Sequence, residues 1–309
     1  MKRPLLFKSD EGERAVAASY DSLLARLPVP HSDVRIPTRH GETFAIVAGE
    51  PAHLPIVLLH SASANSGSWG EDFVRFTRSC RVYAVDIPGE PGKSAPNRMA
   101  LCNPHYGEWL LDVLDGLGLG KSCILGYSQG GWTALRFATL WPERVERMVL
   151  VAPGGIAQPR ISLMFKLLPL LLLGRWGRES LKRTIFGPRR LPADLDLCLN
   201  LILEHFIPRM GKEYMFNDDE LRRLTMPILL VTGGRDAVRD TPRMAERLCG
   251  LLRQVERRDY PELGHLLFDL ADDILPFVSG STVVPVSTPQ AVGGRVGCAS
   301  LGGRRQSDR

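Results

Sequence analysis

The sequence has no apolar run of the roughly 18 residues that a membrane-spanning helix requires. The nearest candidate, residues 167–173, is interrupted by Pro169 and lies between Lys166 and Arg175. Residues 1–8 are basic, but they are not followed by the apolar segment of a secretory signal. These absences predict a cytoplasmic protein without a membrane span.

Cysteine is sparse as well. The six cysteines are scattered along the chain and include no C-x-x-C pair. Their spacing excludes the usual zinc-ligand pattern and a compact disulfide framework. Cysteines inside apolar segments act as small hydrophobic side chains, and the sequence predicts no metal site.

Acidic and basic residues nearly balance, which leaves a net charge of +5 on 309 residues. Residues 154–224 carry a net charge of +4 and residues 280–309 carry +3, so the remainder carries −2. The positive charge therefore belongs to an insertion and a tail, and no basic stripe is interleaved with aromatic side chains. This distribution argues against a nucleic-acid partner.

What is present is the composition of a globular protein, with 44% hydrophobic and 24% charged residues. After a predicted hairpin at 34–48, apolar runs alternate with helical patterns, which is typical of a parallel sheet covered by helices on both faces. The predicted strands are 56–59, 82–85, 123–125, 145–151, 227–232 and 254–257. The predicted helices between them are 68–78, 104–118, 129–141, 241–252 and 270–278.

The alternation stops after residue 153 and resumes near residue 227, with helical periodicity but no clear strand between. Beyond residue 280 the chain has no aromatic residue and cannot bury much apolar surface. We predict a helical N-terminal arm, a core in two segments, a helical cap inserted between them and a disordered tail. The arm comprises residues 1–30, and the core comprises residues 31–153 and 225–279. The cap comprises residues 154–224 and the tail residues 280–309.

The most informative motif is the G-x-S-x-G of residues 126–130. It follows the apolar run 122–125 and precedes a helical pattern, so it lies on a sharp turn between a buried strand and a helix. Glycines permit the close backbone approach of such a turn, which holds the serine hydroxyl out at the sheet edge. Ser128 is therefore the candidate nucleophile.

A serine hydroxyl requires a general base, and the base requires a carboxylate to orient it. Asp236 directly follows the predicted strand 227–232, and His265 precedes the last predicted helix. Asp236 as a mere turn former and Asp240 as the acid are the weaker alternatives. The histidines expected to be solvated, because they fall in loops or helix starts, are His31, His40, His53 and His105.

With the order Ser128, Asp236, His265, the sequence resembles the α/β-hydrolase superfamily, and more closely its capped bacterial carboxylesterase-like members. The resemblance spans about residues 31–278. Besides the elbow, it is carried by residues 57–60, 83–94, 109–115, 218–222 and 233–236. It implies a mostly parallel central sheet with helices on both faces, an inserted helical cap, and a triad in which His265 is the base and Asp236 orients it.

The resemblance also implies an oxyanion hole formed by the backbone N–H groups of Gln129 and Ala62. Relatives usually have glycine where this chain has Ser61, so Ser61 must accept the conformation of the loop or the second donor is displaced. Trp69 is expected to anchor this loop by packing, with substrate stacking as the lesser alternative. At the nearby rim, Glu90 stands where relatives commonly carry histidine.

Residues 161–173 are rich in Leu, Met and Phe, and residues 197–207 repeat apolar residues at helical spacing. These surfaces either pack on the core or line an apolar substrate pocket above Ser128. The candidate pocket residues are Met164, Phe165, Leu168 and His205 from the cap, with Ser61 and Trp69 from the core.

These features predict a serine hydrolase that cleaves carboxylic esters of small to medium size through an acyl-enzyme, without a metal or organic cofactor. The same triad also fits a C–C bond, lactone or thioester hydrolase, or an acyltransferase. A non-catalytic ligand-binding protein on the same fold is the alternative from another class. The predicted partner is a small-molecule ester, and both a monomer and a homodimer are compatible with the sequence.

Overall fold

The structure, a computed structural model, describes residues 5–159, 174–186, 191–209, 211 and 213–280. Its strands are β1 (His31–Ile36), β2 (Thr43–Ala48), β3 (Leu54–Leu59), β4 (Cys80–Val85), β5 (Ser122–Tyr127), β6 (Val145–Val151), β7 (Ile228–Gly233) and β8 (Val255–Tyr260). They form one sheet in the order β1-β2-β4-β3-β5-β6-β7-β8. The β1–β2 and β2–β4 pairs are antiparallel and the others are parallel, in agreement with the predicted hairpin and mostly parallel sheet.

Helices cover both faces of this sheet. They are α1 (Asp10–Ala25), α2 (Gly70–Phe76), α3 (His105–Gly116), α4 (Gln129–Ala138), α5 (Gly174–Phe186), α6 (Ala193–His205), α7 (Asp218–Arg222), α8 (Thr241–Leu251) and α9 (Ala271–Val278). No helix within the described ranges is both long and apolar enough to cross a membrane.

Side-chain alternation along the strands divides the core into two layers. In β3, Val57 and Leu59 belong to the layer that packs against α3, α4 and α8, whereas Ile56 and Leu58 belong to the layer that packs against α1, α2 and α9. All four side chains are fully buried. Burial on both faces explains why β3 reads as a continuous apolar run in the sequence.

One predicted helix differs from the structure. The pattern at 68–78 predicts a single helix, but a 3-10 turn over Ser66–Trp69 precedes α2, which ends at Phe76. Gly70 joins the two with φ of 48°, a left-handed conformation that interrupts regular helix geometry. The preceding loop, residues 60–65, follows the carboxyl end of β3.

The N-terminal arm and the cap segment share a small apolar cluster. Ser9 Oγ accepts a hydrogen bond from Gly12 N at 3.1 Å and caps α1. α1 then packs against α6 of the predicted cap, whose described residues hold helices and no extended strand. The buried members of this cluster are Leu6, Val16, Cys198, Ile202 and Phe206.

The predicted tail lies outside the described residues from residue 281 onward.

The sheet topology brings three loops to one edge. Parallel registers align Tyr127 of β5 with Val151 of β6, Val151 with Val231 of β7, and Gly233 of β7 with Tyr260 of β8. The carboxyl ends of these strands therefore lie side by side. In open α/β sheets this edge is where ligands bind, and the chain places Ser128, Asp236 and His265 in the loops that follow.

Candidate active site

Ser128 lies on a strained turn between β5 and α4. Its backbone adopts φ of 48° and ψ of −104°, a region that non-glycine residues rarely occupy. Flanking bonds fix this conformation, because Ser128 N donates to Val151 O at 2.9 Å and Ser128 O accepts from Trp132 N at 3.0 Å. The turn needs glycine at 130, where a Cβ would lie 2.0 Å from the Leu59 carbonyl oxygen.

The three predicted triad side chains meet. His265 Nε2 lies 3.1 Å from Ser128 Oγ, and His265 Nδ1 lies 2.8 Å from Asp236 Oδ2. Ser128 is 7% exposed, His265 6% and Asp236 0%. A carboxylate at Nδ1 fixes the tautomer in which Nδ1 carries the proton, so Nε2 is left to accept the serine proton.

Asp236 is held as an anion by its own loop. Although burial raises the pKa of this carboxyl, hydrogen bonds from His265 and from the backbone N–H groups of Arg239 and Val238 bring it below its ordinary value. Oδ1 accepts from Val238 N at 2.7 Å and from Arg239 N at 2.8 Å. Asp240, the weaker candidate for the acid, instead caps α8 by accepting a hydrogen bond from Arg243 N at 3.4 Å.

The two predicted oxyanion donors, Gln129 and Ala62, lie in different kinds of local structure. Gln129 is the first residue of α4, where backbone N–H groups have no intrahelical acceptor. Ala62 is exposed in the loop after β3. Ser61 is half-buried, and the left-handed residue of this loop is Ser63, with φ of 53°. Serine instead of glycine at position 61 is therefore tolerated, because the residue with positive φ is Ser63, two positions later.

Glu90, whose presence in place of histidine had no explanation in the sequence, holds that loop. Its Oε2 accepts a hydrogen bond from Ser63 N at 2.7 Å. Burial raises the pKa of the Glu90 carboxyl to about 7, although Ser63 N–H, Arg98, the Gln129 side chain and Arg209 all favour its charged form. Where relatives commonly carry histidine, Glu90 thus supplies a hydrogen-bond acceptor for Ser63, the residue of the loop with positive φ.

Tyr127, the residue before Ser128, is a second contributor that sequence reasoning missed. Its hydroxyl donates to His265 O at 2.9 Å and accepts from Leu267 N. One buried phenol therefore fixes the backbone on both sides of the loop that carries His265. Its place within the elbow motif is the only sequence signal, because its partners lie 138 and 140 residues away.

The predicted pocket residues have different positions. Trp69 is 9% exposed and packs in the core layer of α1 and α2, in keeping with an anchoring role. His205, at the end of α6, packs against α1, since a Cβ at Gly12 would lie 2.7 Å from its imidazole. Met164, Phe165 and Leu168 lie outside the described residues.

This arrangement of an alcohol, an imidazole and a carboxylate supports nucleophilic attack on a carbonyl group. The model of the alpha/beta hydrolase family matches residues 56–276. Carboxylesterase YbfK of Bacillus subtilis is 30% identical over 263 residues, covering 81% of this chain and 86% of that protein. The carboxylesterase nap of the same organism is 29% identical over 273 residues, covering 84% and 88%.

Solved structures agree with the sequence relatives. The crystal structure of naproxen esterase (carboxylesterase NP) from Bacillus subtilis aligns with a TM-score of 0.79 at 27% identity, covering 89% of this chain and 99% of that one. The crystal structure of carboxylesterase CesB (YbfK) from the same organism aligns with a TM-score of 0.78. With the family match spanning most of the core, the chain belongs to the alpha/beta hydrolase family.

Proposed function

We propose that the chain is a serine carboxylesterase acting on esters of small to medium size. Ser128 Oγ attacks the ester carbonyl carbon while His265 Nε2 takes the hydroxyl proton, and Asp236 stabilises the resulting imidazolium. The tetrahedral intermediate then expels the alcohol, which receives that proton from His265. Ser128 is left acylated.

Deacylation repeats these steps with water. His265 Nε2 takes a proton from the attacking water, a second tetrahedral intermediate forms, and Ser128 leaves with the proton returned from His265. The carboxylic acid is released and the starting state is restored. The ester and one water molecule are the only reactants that these two steps consume.

The observation that carries the proposal is the bridging imidazole, 3.1 Å from the serine hydroxyl and 2.8 Å from the buried carboxylate. This geometry agrees with the nucleophile–base and base–orienter contacts of serine hydrolases. The carboxylesterase relatives support an ester as the substrate class.

We also propose that the backbone N–H groups of Gln129 and Ala62 stabilise the oxyanion. The loop of residues 60–65 brings Ala62, and the start of α4 brings Gln129, to the same strand edge as Ser128. Preorganised donors of this kind are worth roughly 2.7–4 kcal/mol each in the transition state. The cap boundaries, the cytoplasmic location and the oligomeric state stay predictions of the sequence.

The test is hydrolysis of p-nitrophenyl esters of increasing acyl length, with naproxen methyl ester included because one relative is named a naproxen esterase. Ser128→Ala should lower kcat by roughly 10⁶-fold. Asp236→Asn should lower it by roughly 10⁴-fold, because the wrong imidazole tautomer is favoured. Asp240→Asn is the matched control and should stay within a few-fold of wild type.

Covalent labelling separates the alternatives. A fluorophosphonate should modify Ser128, identified by mass spectrometry of the labelled peptide. Labelling of another residue, with Ser128→Ala still active, would show that the triad assignment is wrong. Wild type that matches Ser128→Ala on every ester would favour a ligand-binding protein on this fold.

A further inference from the structure

Three side chains that commonly bind metals meet away from the triad. His40 lies in the turn between β1 and β2, and His105 and Glu108 lie in the first turn of α3. His105 Nδ1 is 2.9 Å from Glu108 Oε2, and His40 Nε2 is 3.5 Å from the same oxygen. One candidate ligand atom of each residue lies within 4.8 Å of the other two.

These separations suit a transition-metal ion. A tetrahedral zinc site with bonds of about 2.0–2.1 Å to nitrogen and oxygen separates its ligand atoms by roughly 3.3 Å. His105 and Glu108 are three residues apart on one helix face, a spacing also used by metal sites in helical bundles. Small rotations of these side chains would equalise the distances.

The site is partly shielded and remains open on one side. The side chain of His40 is only 13% exposed, in contrast to the solvated position expected from the sequence, and beyond its 3.5 Å approach to Glu108 Oε2 its Nε2 has no hydrogen-bond partner among the described residues. The Glu108 side chain is 26% exposed and that of His105 43%. An ion could therefore enter beside His105 and keep water as its remaining ligands.

The backbone that carries His40 is fixed on both sides. His40 N donates to Thr38 Oγ1 at 3.2 Å, and His40 O accepts from Asn97 Nδ2 at 3.2 Å. The neighbouring Arg39 would repel a cation, but Asp112 neutralises it through bonds to its guanidinium and its backbone N–H. The charge of Arg39 is thus paired with Asp112 rather than with Glu108.

We propose that His40, His105 and Glu108 form a binding site for Zn²⁺ or a similar divalent transition metal, which joins the β1–β2 turn to α3. Two imidazoles and one carboxylate favour such ions over Mg²⁺. On binding, Nδ1 of His105 gives up its contact with Glu108 and its proton moves to Nε2, so the neutral ring supplies a lone pair. The site is separate from the triad and does not depend on the proposed esterase activity.

The test is calorimetric titration of the untagged, chelator-treated full chain with ZnCl₂, with the melting temperature followed in parallel. Wild type should bind one equivalent at this site and melt at a higher temperature with zinc. His40→Gln and His105→Gln should each raise the dissociation constant at least tenfold. Circular dichroism confirms that each variant is folded, and the second histidine variant keeps the test valid if the first is not.

Two controls exclude other ligands. His31→Gln, in β1, should leave zinc affinity unchanged, as should Cys102→Ser, which removes an exposed thiol three residues before His105. Co²⁺ bound in place of zinc should show ligand-field bands without a thiolate charge-transfer band. The proposal is overturned if zinc does not saturate a site, if both histidine variants bind like wild type, or if Mg²⁺ binds as tightly.

Discussion

At the scale of single residues, Tyr127 holds the loop that carries His265, the proposed base. Tyr127→Phe removes a donor to His265 O and an acceptor for Leu267 N, both buried. A buried group left unpaired costs about 1–3 kcal/mol, so we expect a lower free energy of unfolding. We also expect kcat to fall roughly tenfold, the equivalent of about 1.4 kcal/mol, with KM little changed.

A matched variant separates positioning from stability. Trp109→Phe removes another buried hydrogen bond, from Trp109 Nε1 to Thr43 Oγ1 at 2.7 Å, in the layer under α3. It should destabilise the protein while leaving kcat unchanged. Steady-state kinetics below both melting temperatures make the comparison. Equal kcat in the two variants would mean that Tyr127 contributes to stability alone.

Glu90 makes stability depend on pH. Its folded-state pKa of about 7 exceeds the ordinary 4.5, and burial is the largest cause. Between these values the folded state holds a proton that the unfolded state has lost, so the free energy of unfolding falls as pH rises from about 4.5 to about 7. Glu90→Gln should remove this decline, on the order of 3 kcal/mol in total.

The measurement is urea unfolding of wild type and Glu90→Gln at pH 5 and pH 8. Asp72, whose pKa is raised to about 6 mainly by burial, contributes a similar decline to both proteins and cancels in the difference. Glu71→Gln, on the exposed side of α2, is the control. A pH-independent difference between wild type and Glu90→Gln would contradict the raised pKa.

The site was only partly predictable at this scale. Ser128, Asp236 and His265 were predictable because their chemistry depends on residue type and on order relative to strands, both visible in the sequence. The contacts of Glu90 and Tyr127 were not, since their partners are backbone groups distant in the chain. Any residue type can supply a backbone N–H or C=O, so no pattern marks such a partner.

At the scale of elements, the elbow depends on the approach of α4 to β3. A Cβ added at Gly130 would lie 2.0 Å from Leu59 O and 2.7 Å from His60 O, neither of which can move without shifting the strand. Gly130→Ala should therefore cost about 4 kcal/mol or more. Esterase activity should fall as well, because the start of α4 carries Gln129.

Gly250 provides the control for this substitution. It lies near the end of α8, and a Cβ there would meet nothing within 4 Å. Gly250→Ala should raise the free energy of unfolding by about 1 kcal/mol through helix propensity. Chemical denaturation of both variants tests the pair. Similar stability of the two would show that close packing at Gly130 is not required.

Element boundaries followed the sequence where the signal was local. Ser9 marks the start of α1 because its own side chain caps the helix. The break at Gly70 was missed, since glycine can occupy a helix interior and only its left-handed φ, fixed by the fold, separates the 3-10 turn from α2. The apolar run of β3 was clear because both of its faces are buried.

At the scale of the whole molecule, the N-terminal helix α1 connects the sheet to α6, in the segment predicted to form the cap. From α1, Tyr20 donates to the buried Asp86 of the core at 3.0 Å. Val16, on the same helix, packs with Ile202 of α6. Asp86 is therefore a structural contact point, and α1 contacts both the sheet domain and α6.

Phe206 lies where the N-terminal arm, helix α6 of the predicted cap and the loop that carries Arg98 meet. Its ring is 2% exposed, packs edge-to-face on Phe7 with centroids 5.5 Å apart, and lies 5.0 Å from the guanidinium of Arg98. Backbone bonds join the same segments, with Ile207 N donating to Leu6 O at 2.8 Å. Shortening the Phe206 side chain should therefore weaken the packing among all three of these segments.

Phe206→Ala should lower the free energy of unfolding by about 3–5 kcal/mol, the usual cost of a large aromatic cavity. Because Phe206 follows α6 directly, hydrogen exchange should accelerate first at residues 5–9 and 193–209, before the strands of the core lose protection. Trp176 lies on α5 and is 84% exposed. Trp176→Ala should therefore change the free energy of unfolding by less than about 0.5 kcal/mol. Uniform loss of protection across the sheet in Phe206→Ala would instead show that arm, cap and core unfold as one cooperative unit.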